Sequence, residues 1–227
     1  MSMIIGCGGD CPPKYILSKC SKKRPRIVYL PTAGFDRFEN DEIDEYLSVG
    51  CEASMLFLMD ETLTDKEIRD RIMSADIIHV RGGNLKNLMV YWKKRSVDKL
   101  LRERFELGDV ILCGSSSGSM CWFNEGYDDC GDNHEFMFID CVGLLPFCNC
   151  PHYETDYWQG FNDAIKTRSL PGLACDNDAA LVYDNGEFYT AFFDDADEST
   201  GVYLIDNRNG FKKIKLNDNA DILKEFM

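Results

Sequence analysis

Basic residues are scarce in this chain, and histidine is scarcer still. Against 39 aspartates and glutamates stand 25 lysines and arginines, a formal net charge of −14 over 227 residues. That balance argues against a nucleic-acid partner, because phosphate recognition needs a basic face. It favours cationic over anionic ligands at long range, although a local pocket can override the field. His79, His134 and His152 are the whole supply of imidazole. No apolar run approaches the roughly 20 residues of a membrane span, so no membrane partner is expected. The start, Met1-Ser2-Met3-Ile4-Ile5, lacks the basic segment and long apolar core of a secretory leader, which points to a cytoplasmic protein. Repeats, low-complexity tracts and linkers are also missing, and one α/β domain over residues 1–227 is the simplest organisation.

Cysteine, by contrast, is plentiful: 11 residues, an odd count, scattered through strand-like and helix-like segments. A disulfide framework belongs to small secreted domains, so these are read as reduced, buried small hydrophobes. The cluster Cys148-Asn149-Cys150-Pro151-His152 is too tightly spaced for a zinc knuckle and has no second ligand pair downstream. Neither a metal nor an organic cofactor is expected.

Strand-like and helix-like patterns alternate along the first two thirds of the chain. Arg26 to Leu30 reads as a strand ending at Pro31-Thr32-Ala33-Gly34, and residues Asn40 to Val49 show helical spacing. Ala53 to Met59 is a short apolar run read as a strand. Thr64-Asp65-Lys66-Glu67 carries a capping box and opens a helix. Asp76 to Val80 is the next strand, followed by Arg81-Gly82-Gly83-Asn84, a helix bearing Leu85, Leu88 and Met89, and another over Val97 to Leu107. Continuous apolar strands separated by helices imply an α/β fold with a mostly parallel central sheet covered on both faces. Chemistry then sits beyond the C-terminal strand ends. After Asp176 the pattern changes to antiparallel strands, at Ala179 to Tyr183, Glu187 to Phe193 and Gly201 to Ile205, with turn signals at Asp184-Asn185-Gly186 and Asn207-Arg208-Asn209-Gly210.

The most informative segment is Asp109-Val110-Ile111-Leu112-Cys113-Gly114-Ser115-Ser116-Ser117-Gly118-Ser119-Met120. An apolar run enters Gly-x-Ser-x-Gly and leaves as a helix, the order of a nucleophile elbow. Of the serines here, Ser116 has glycine at both −2 and +2. An ordinary βα turn or a phosphate-binding loop would read the same way. Cys113, inside the strand, and Cys121, inside the helix, are poorly placed to replace Ser116 as nucleophile.

A serine nucleophile needs a base, usually oriented by a carboxylate. His79 lies mid-strand and reads as a core residue, whereas His134 lies in an acidic loop. His152 follows the strand-like Leu144 to Pro151, a suitable place for a general base and equally for a helix cap. For the acid, Asp176 sits between two apolar pieces, and Asp128 and Asp129 follow the elbow helix.

Together these motifs resemble one family, the S51 serine peptidases, which include dipeptidase E and the cyanophycinases. Gly82-Gly83-Asn84 is similar to the family's Gly-Gly-Asn-Thr turn, and Gly114 to Ser119 to its Gly-x-Ser-Ala-Gly-Ala elbow. Cys121-Trp122-Phe123 with Asp128-Asp129, then Pro151-His152-Tyr153, then Leu173 to Leu181, follow in the family's order, as in its peptidase-E-like bacterial branch. The resemblance implies a three-layer fold like that of class-I glutamine amidotransferases. It implies Ser116 as nucleophile, His152 as base, Asp176 as acid, and the amides of Gly83 and Ser117 as oxyanion donors. Asp129 matches an aspartate that matters for activity in the family, and Asn84 and Arg81 fall where substrate would be met. Arg81, Leu85, Ser117 and Ser119 depart from the family pattern, which puts an aspartyl specificity in doubt. The implied activity is that of a serine exopeptidase or dipeptidase acting on short peptides, with a second copy of the chain as the candidate protein partner. The competing reading is a non-catalytic small-molecule or anion-binding protein on the same scaffold. A blocked elbow, or a Ser116 and His152 held apart, would favour it.

Overall fold

The computed structural model describes residues 2–37, 42–208, 210–217 and 219–227. Its main sheet follows from period-two patterning. In β1 (Met3–Cys7), β2 (Arg26–Leu30), β3 (Glu52–Met55), β4 (Ile77–Val80) and β5 (Ile111–Ser115), neighbouring side chains point to opposite faces. Ile4, Val28, Ile78 and Leu112 enter one core, while Ile5, Ile27, Ile77 and Ile111 enter the other. Both faces are therefore apolar and both must be covered, which is why these strands pair in parallel. Their order is β3-β2-β4-β5-β1, with all four pairings parallel.

The remaining strands are β6 (Phe123–Asp128), β7 (Met137–Asp140), β8 (Leu145–Cys150), β9 (Gly172–Cys175), β10 (Ala179–Asp184), β11 (Glu187–Phe192), β12 (Val202–Asp206) and β13 (Lys212–Lys215). Antiparallel β10 and β11 extend the main sheet beyond β1, joined by the Asn185-Gly186 turn. The others form a second sheet in the order β13-β12-β9-β8-β6-β7. The helices are α1 (Pro13–Ser18), α2 (Asp44–Ser48), α3 (Asp65–Ser74), α4 (Leu85–Lys94), α5 (Val97–Leu107), α6 (Ser117–Met120) and α7 (Phe161–Ala164). Ile16 of α1 and Tyr46 of α2 pack on one face of the main sheet. Ile72, Trp92 and Leu101 of α3, α4 and α5, with Phe147 and Leu173 of the second sheet, pack on the other. Burying each such side chain contributes about 1.5–3 kcal/mol. The result is an α/β three-layer arrangement around a mostly parallel sheet.

Local signals explain the helix starts. Thr64 caps α3: its hydroxyl accepts from Glu67 N at 3.2 Å, and the Glu67 carboxylate accepts from Thr64 N at 2.8 Å. Asn84 caps α4, accepting from Asn87 N at 2.7 Å. Where the structure differs from expectation, packing is the reason. The strand expected through Met59 stops at Met55, and Leu56 and Leu58 are buried from a loop instead. The helix expected from Asn40 is confined to Asp44–Ser48, and Asn40 and Asp41 lie outside the described residues, as does Asn209 of the second turn signal. β1, between β10 and β5 in the main sheet, and β6, β7 and β13 of the second sheet had no place in the sequence reading. The helix after the elbow is one turn long, because Phe123 already opens β6.

The ends of β4 and β5 approach unusually closely. A methyl group on Gly118 would lie 2.1 Å from the Val80 carbonyl oxygen, and one on Gly114 2.2 Å from that of Gly118. Gly118→Ala is therefore expected to cost about 1–3 kcal/mol through overpacking, a fall in Tm of roughly 2–12 °C at this chain length. A thermal melt superimposable on that of the parent protein would contradict this.

Candidate active site

Two turns at the C-terminal edge of the parallel sheet build the site. The first leaves β4 as Arg81-Gly82-Gly83-Asn84, and the second leaves β5 at Ser116. Parallel pairing of the two strands sets Val80 beside Gly114, so the turns lie side by side. Ser116 has φ 52° and ψ −120°. A non-glycine residue in that region stores strain of about 1–3 kcal/mol and persists only where its surroundings over-determine it. The surroundings here are the glycines that let α6 press against β4. Gly83 is also at positive φ, 148°, where a side chain would strike the Ala33 carbonyl oxygen at 2.5 Å. The Ser117 hydroxyl donates to Gly83 O at 2.7 Å and ties the turns together. Among the described residues, neither Gly83 N nor Ser117 N donates to a protein acceptor.

His152 stands just beyond β8, itself at φ 51°. Its backbone N–H donates to Gly8 O at 3.2 Å, and its ring packs on Trp158 with centroids 5.5 Å apart. Nε2 lies 2.9 Å from Ser116 Oγ, and Nδ1 lies 2.5 Å from Asn177 Oδ1. The rest of the network decides the tautomer. Asn177 donates from Nδ2 to Glu154 Oε1 and from its backbone N to Glu154 Oε2 at 3.0 Å. A carboxylate accepts only, so the amide must turn its oxygen to His152. Nδ1 then carries the proton and donates to Asn177, which leaves the Nε2 lone pair to accept from the Ser116 hydroxyl.

The residues expected from sequence fall into two groups. Ser116, His152 and Gly83 converge on one cleft of about 670 Å³, whose walls also carry Arg81, Asp10, Glu42 and Glu45, while Ser117 is buried behind it, bonded to Gly83. Asp176 does not reach His152. Its Oδ2 accepts from Gly201 N at 2.8 Å and from the Tyr203 hydroxyl at 3.4 Å. The chain turns directly after β9, with the Asp176 carboxylate directed toward Gly201 and β12 and the next residue, Asn177, presenting its amide to His152. Burial pushes the Asp176 carboxyl up to about 6. Asp129 is likewise elsewhere, accepting from the Tyr157 hydroxyl at 2.9 Å, while the exposed His134 lies 3.7 Å from it. Buried Asp128 caps α4 by accepting from Leu85 N at 2.8 Å. Asn84 is occupied as the helix cap described above. Arg81 stands in the cleft wall, held by Glu42 at 2.9 Å and by Arg37 O. His79 is buried, as expected.

Asn177 and Glu154 were missed in the sequence. Asn177 adjoins the residue chosen, and the search for a charged group passed over a neutral amide. Glu154, two residues beyond His152, carried no signal that set it apart from its acidic neighbours. The cluster Cys148-x-Cys150-x-His152 does not gather. Cys148 Sγ turns to Glu125 Oε2 at 3.2 Å, and Cys150 Sγ to the Pro151 carbonyl. The elbow is open to the cleft and its imidazole is in contact, the opposite of what a purely binding role would need.

Residues 11–191 match the model of peptidase family S51. An uncharacterized peptidase of Bacillus subtilis, YgaJ, is 33% identical over 181 residues, 78% of this chain and 76% of that protein. The crystal structure of a putative peptidase E protein from Listeria monocytogenes EGD-e has a TM-score of 0.65 at 18% identity, covering 85% of this chain and 98% of that one. A peptidase from an acI-B1 Actinobacterium has a TM-score of 0.72 at 15% identity, covering 94% of each chain. At such identities the two structures speak to the fold.

The raised Asp176 pKa carries a pH signature. The folded chain holds this proton to higher pH than the unfolded chain does, so the contribution to stability is full below about 3.8 and is lost as pH rises through about 6. Asp176→Asn should flatten part of that decline in denaturant unfolding series between pH 4 and 6.5. An unchanged slope would show that this carboxyl does not titrate there.

Proposed function

Since this chain belongs to peptidase family S51 and is a serine peptidase, we propose that it is an exopeptidase that trims short peptides from a free amino terminus. In this reading Ser116 is the nucleophile and His152 the general base. The single observation carrying it is the 2.9 Å contact between Ser116 Oγ and His152 Nε2 on a strained elbow. His152 removes the hydroxyl proton as Ser116 attacks the scissile carbonyl carbon. Negative charge develops on the carbonyl oxygen, beside the free amides of Gly83 and Ser117. One such donor typically contributes about 3 kcal/mol to transition-state stability. The imidazolium then protonates the departing amine, and water, activated by the same imidazole, hydrolyses the acyl-enzyme. Asn177, braced by Glu154, keeps the ring in the working tautomer, so the third member is an amide rather than the aspartate first expected. A Cys-His-Asn set is the nearest precedent for that arrangement.

Two features support short substrates entered by their amino end. The cleft volume suits a ligand of a few residues. Asp10 and Glu45 on its walls, beyond the Glu42 carboxylate that Arg81 neutralises, favour an ammonium group over a carboxylate within a chain of net charge −14.

Ser116→Ala should lower kcat by roughly 10⁴-fold or more and abolish labelling by a fluorophosphonate, with no change in the melting curve. Asn177→Ala should lower kcat by about 10–100-fold, as loss of an orienting partner does, while Asp176→Asn stays within a few-fold of the parent. A dipeptide library with and without N-acetylation reads the specificity. Full turnover by Ser116→Ala would falsify the nucleophile assignment, and equal hydrolysis of acetylated peptides would overturn the amino-terminal reading.

A further inference from the structure

A second cluster of reactive side chains lies on the floor of the same cleft. Register places His79 of β4 directly beside Cys113 of β5, on the face of the sheet toward α1 and α2. Cys11, on the loop between β1 and α1, closes over them. One donor atom from each of Cys11, His79 and Cys113 lies within 4.8 Å of the others, and all three residues are buried. This is the one group of three or more potential ligands among the described residues that gathers so closely. None of the three takes part in the serine chemistry derived above.

We propose that Cys11, His79 and Cys113 bind a zinc ion at the floor of the cleft, through two thiolates and one imidazole, with a fourth position open to the cleft. Four observations carry this. Two sulfurs and a nitrogen are the donor set that zinc selects. The Tyr46 hydroxyl lies 2.9 Å from His79 Nδ1, which leaves Nε2 as the coordinating nitrogen and supplies the outer hydrogen bond that metal-binding imidazoles use. Zinc bound by two thiolates and a neutral imidazole has no net charge, the form a buried site tolerates. Cys11 and His79 line the cleft, so an ion has a route in from solvent. Tetrahedral zinc, with bonds of about 2.3 Å to sulfur and 2.0 Å to nitrogen, needs the donors drawn somewhat closer together. Cys11 is the ligand whose backbone is outside the sheet and can make that adjustment. Binding proceeds as Zn²⁺ displacing two thiol protons to solvent, with no change of oxidation state.

The test uses the full chain, kept reduced and stripped with chelator, then titrated with Co²⁺ and with Zn²⁺. One equivalent of Co²⁺ should give a thiolate-to-cobalt charge-transfer band and the visible absorption of a tetrahedral site, and one equivalent of Zn²⁺ should bleach both. Zinc uptake in weak buffer should release close to two protons per ion. Cys11→Ser and Cys113→Ser should each remove the charge-transfer band or weaken binding by at least tenfold. Cys130→Ser, at a thiol remote from the cluster, should leave it intact. Circular dichroism checks that each variant is folded, and Cys11→Ser, on a loop, is the one least exposed to misfolding. Ser116→Ala should bind zinc as the parent does, so this site and the peptidase reading fail independently. Octahedral cobalt without charge transfer, full binding by both cysteine variants, or no stoichiometric uptake would each overturn the proposal.

Discussion

The close approach of backbone where β4 and β5 end is the constraint on which the site depends. Gly118 rests against the Val80 carbonyl with no room for a side chain, and Gly114 rests against Gly118. This contact forces the chain to leave β5 in a sharp turn and drives Ser116 to positive φ. It also brings the Gly83 amide beside the Ser117 amide. A serine lifted clear of the sheet, and two backbone amides without a protein acceptor close to it, are thus products of one steric fact. The strain at Ser116 is sustained by the apolar packing on both faces of the sheet, which holds β4 and β5 in register.

The imidazole is positioned by a different kind of force. His152 is held at a left-handed turn by a backbone hydrogen bond to Gly8 and by contact with Trp158. Its tautomer is set at one remove, by a carboxylate that never touches it. Glu154 accepts from both nitrogens of Asn177, backbone and side chain, and the amide oxygen is thereby turned toward Nδ1. An asparagine acceptor orients the ring as an aspartate would, while the full negative charge sits farther off. Asp176 serves the fold instead, anchoring the turn after β9 to Gly201.

Much of the architecture was legible because local chemistry and global fold agree. The Thr64 capping box, the limits of α5, the Asn185-Gly186 turn and the glycine-flanked serine each carry a mechanism that acts over a few residues. The second sheet was legible in part: the stretches of β8, β9 and β12 read as strand-like, whereas β6, β7 and β13 are short and no periodicity announces them. β1 was hidden for a related reason: five residues show no alternation with helices on either side, although the folded sheet places them between β10 and β5.

For the site, sequence alone determined the residue types whose chemistry needs special backbone: the serine between two glycines, the paired glycines after β4, and the histidine after an apolar run. Those signals survive in one dimension because sterics dictates them within a turn. Only tertiary structure decided which side chain faces the far nitrogen of His152, since the chain turns directly after β9 and a shift of one position exchanges Asp176 for Asn177. The same holds for the gathering of Cys11, His79 and Cys113. They are separated by tens of residues, and only the parallel register of β4 and β5, with the loop after β1 folded over it, brings their donor atoms together.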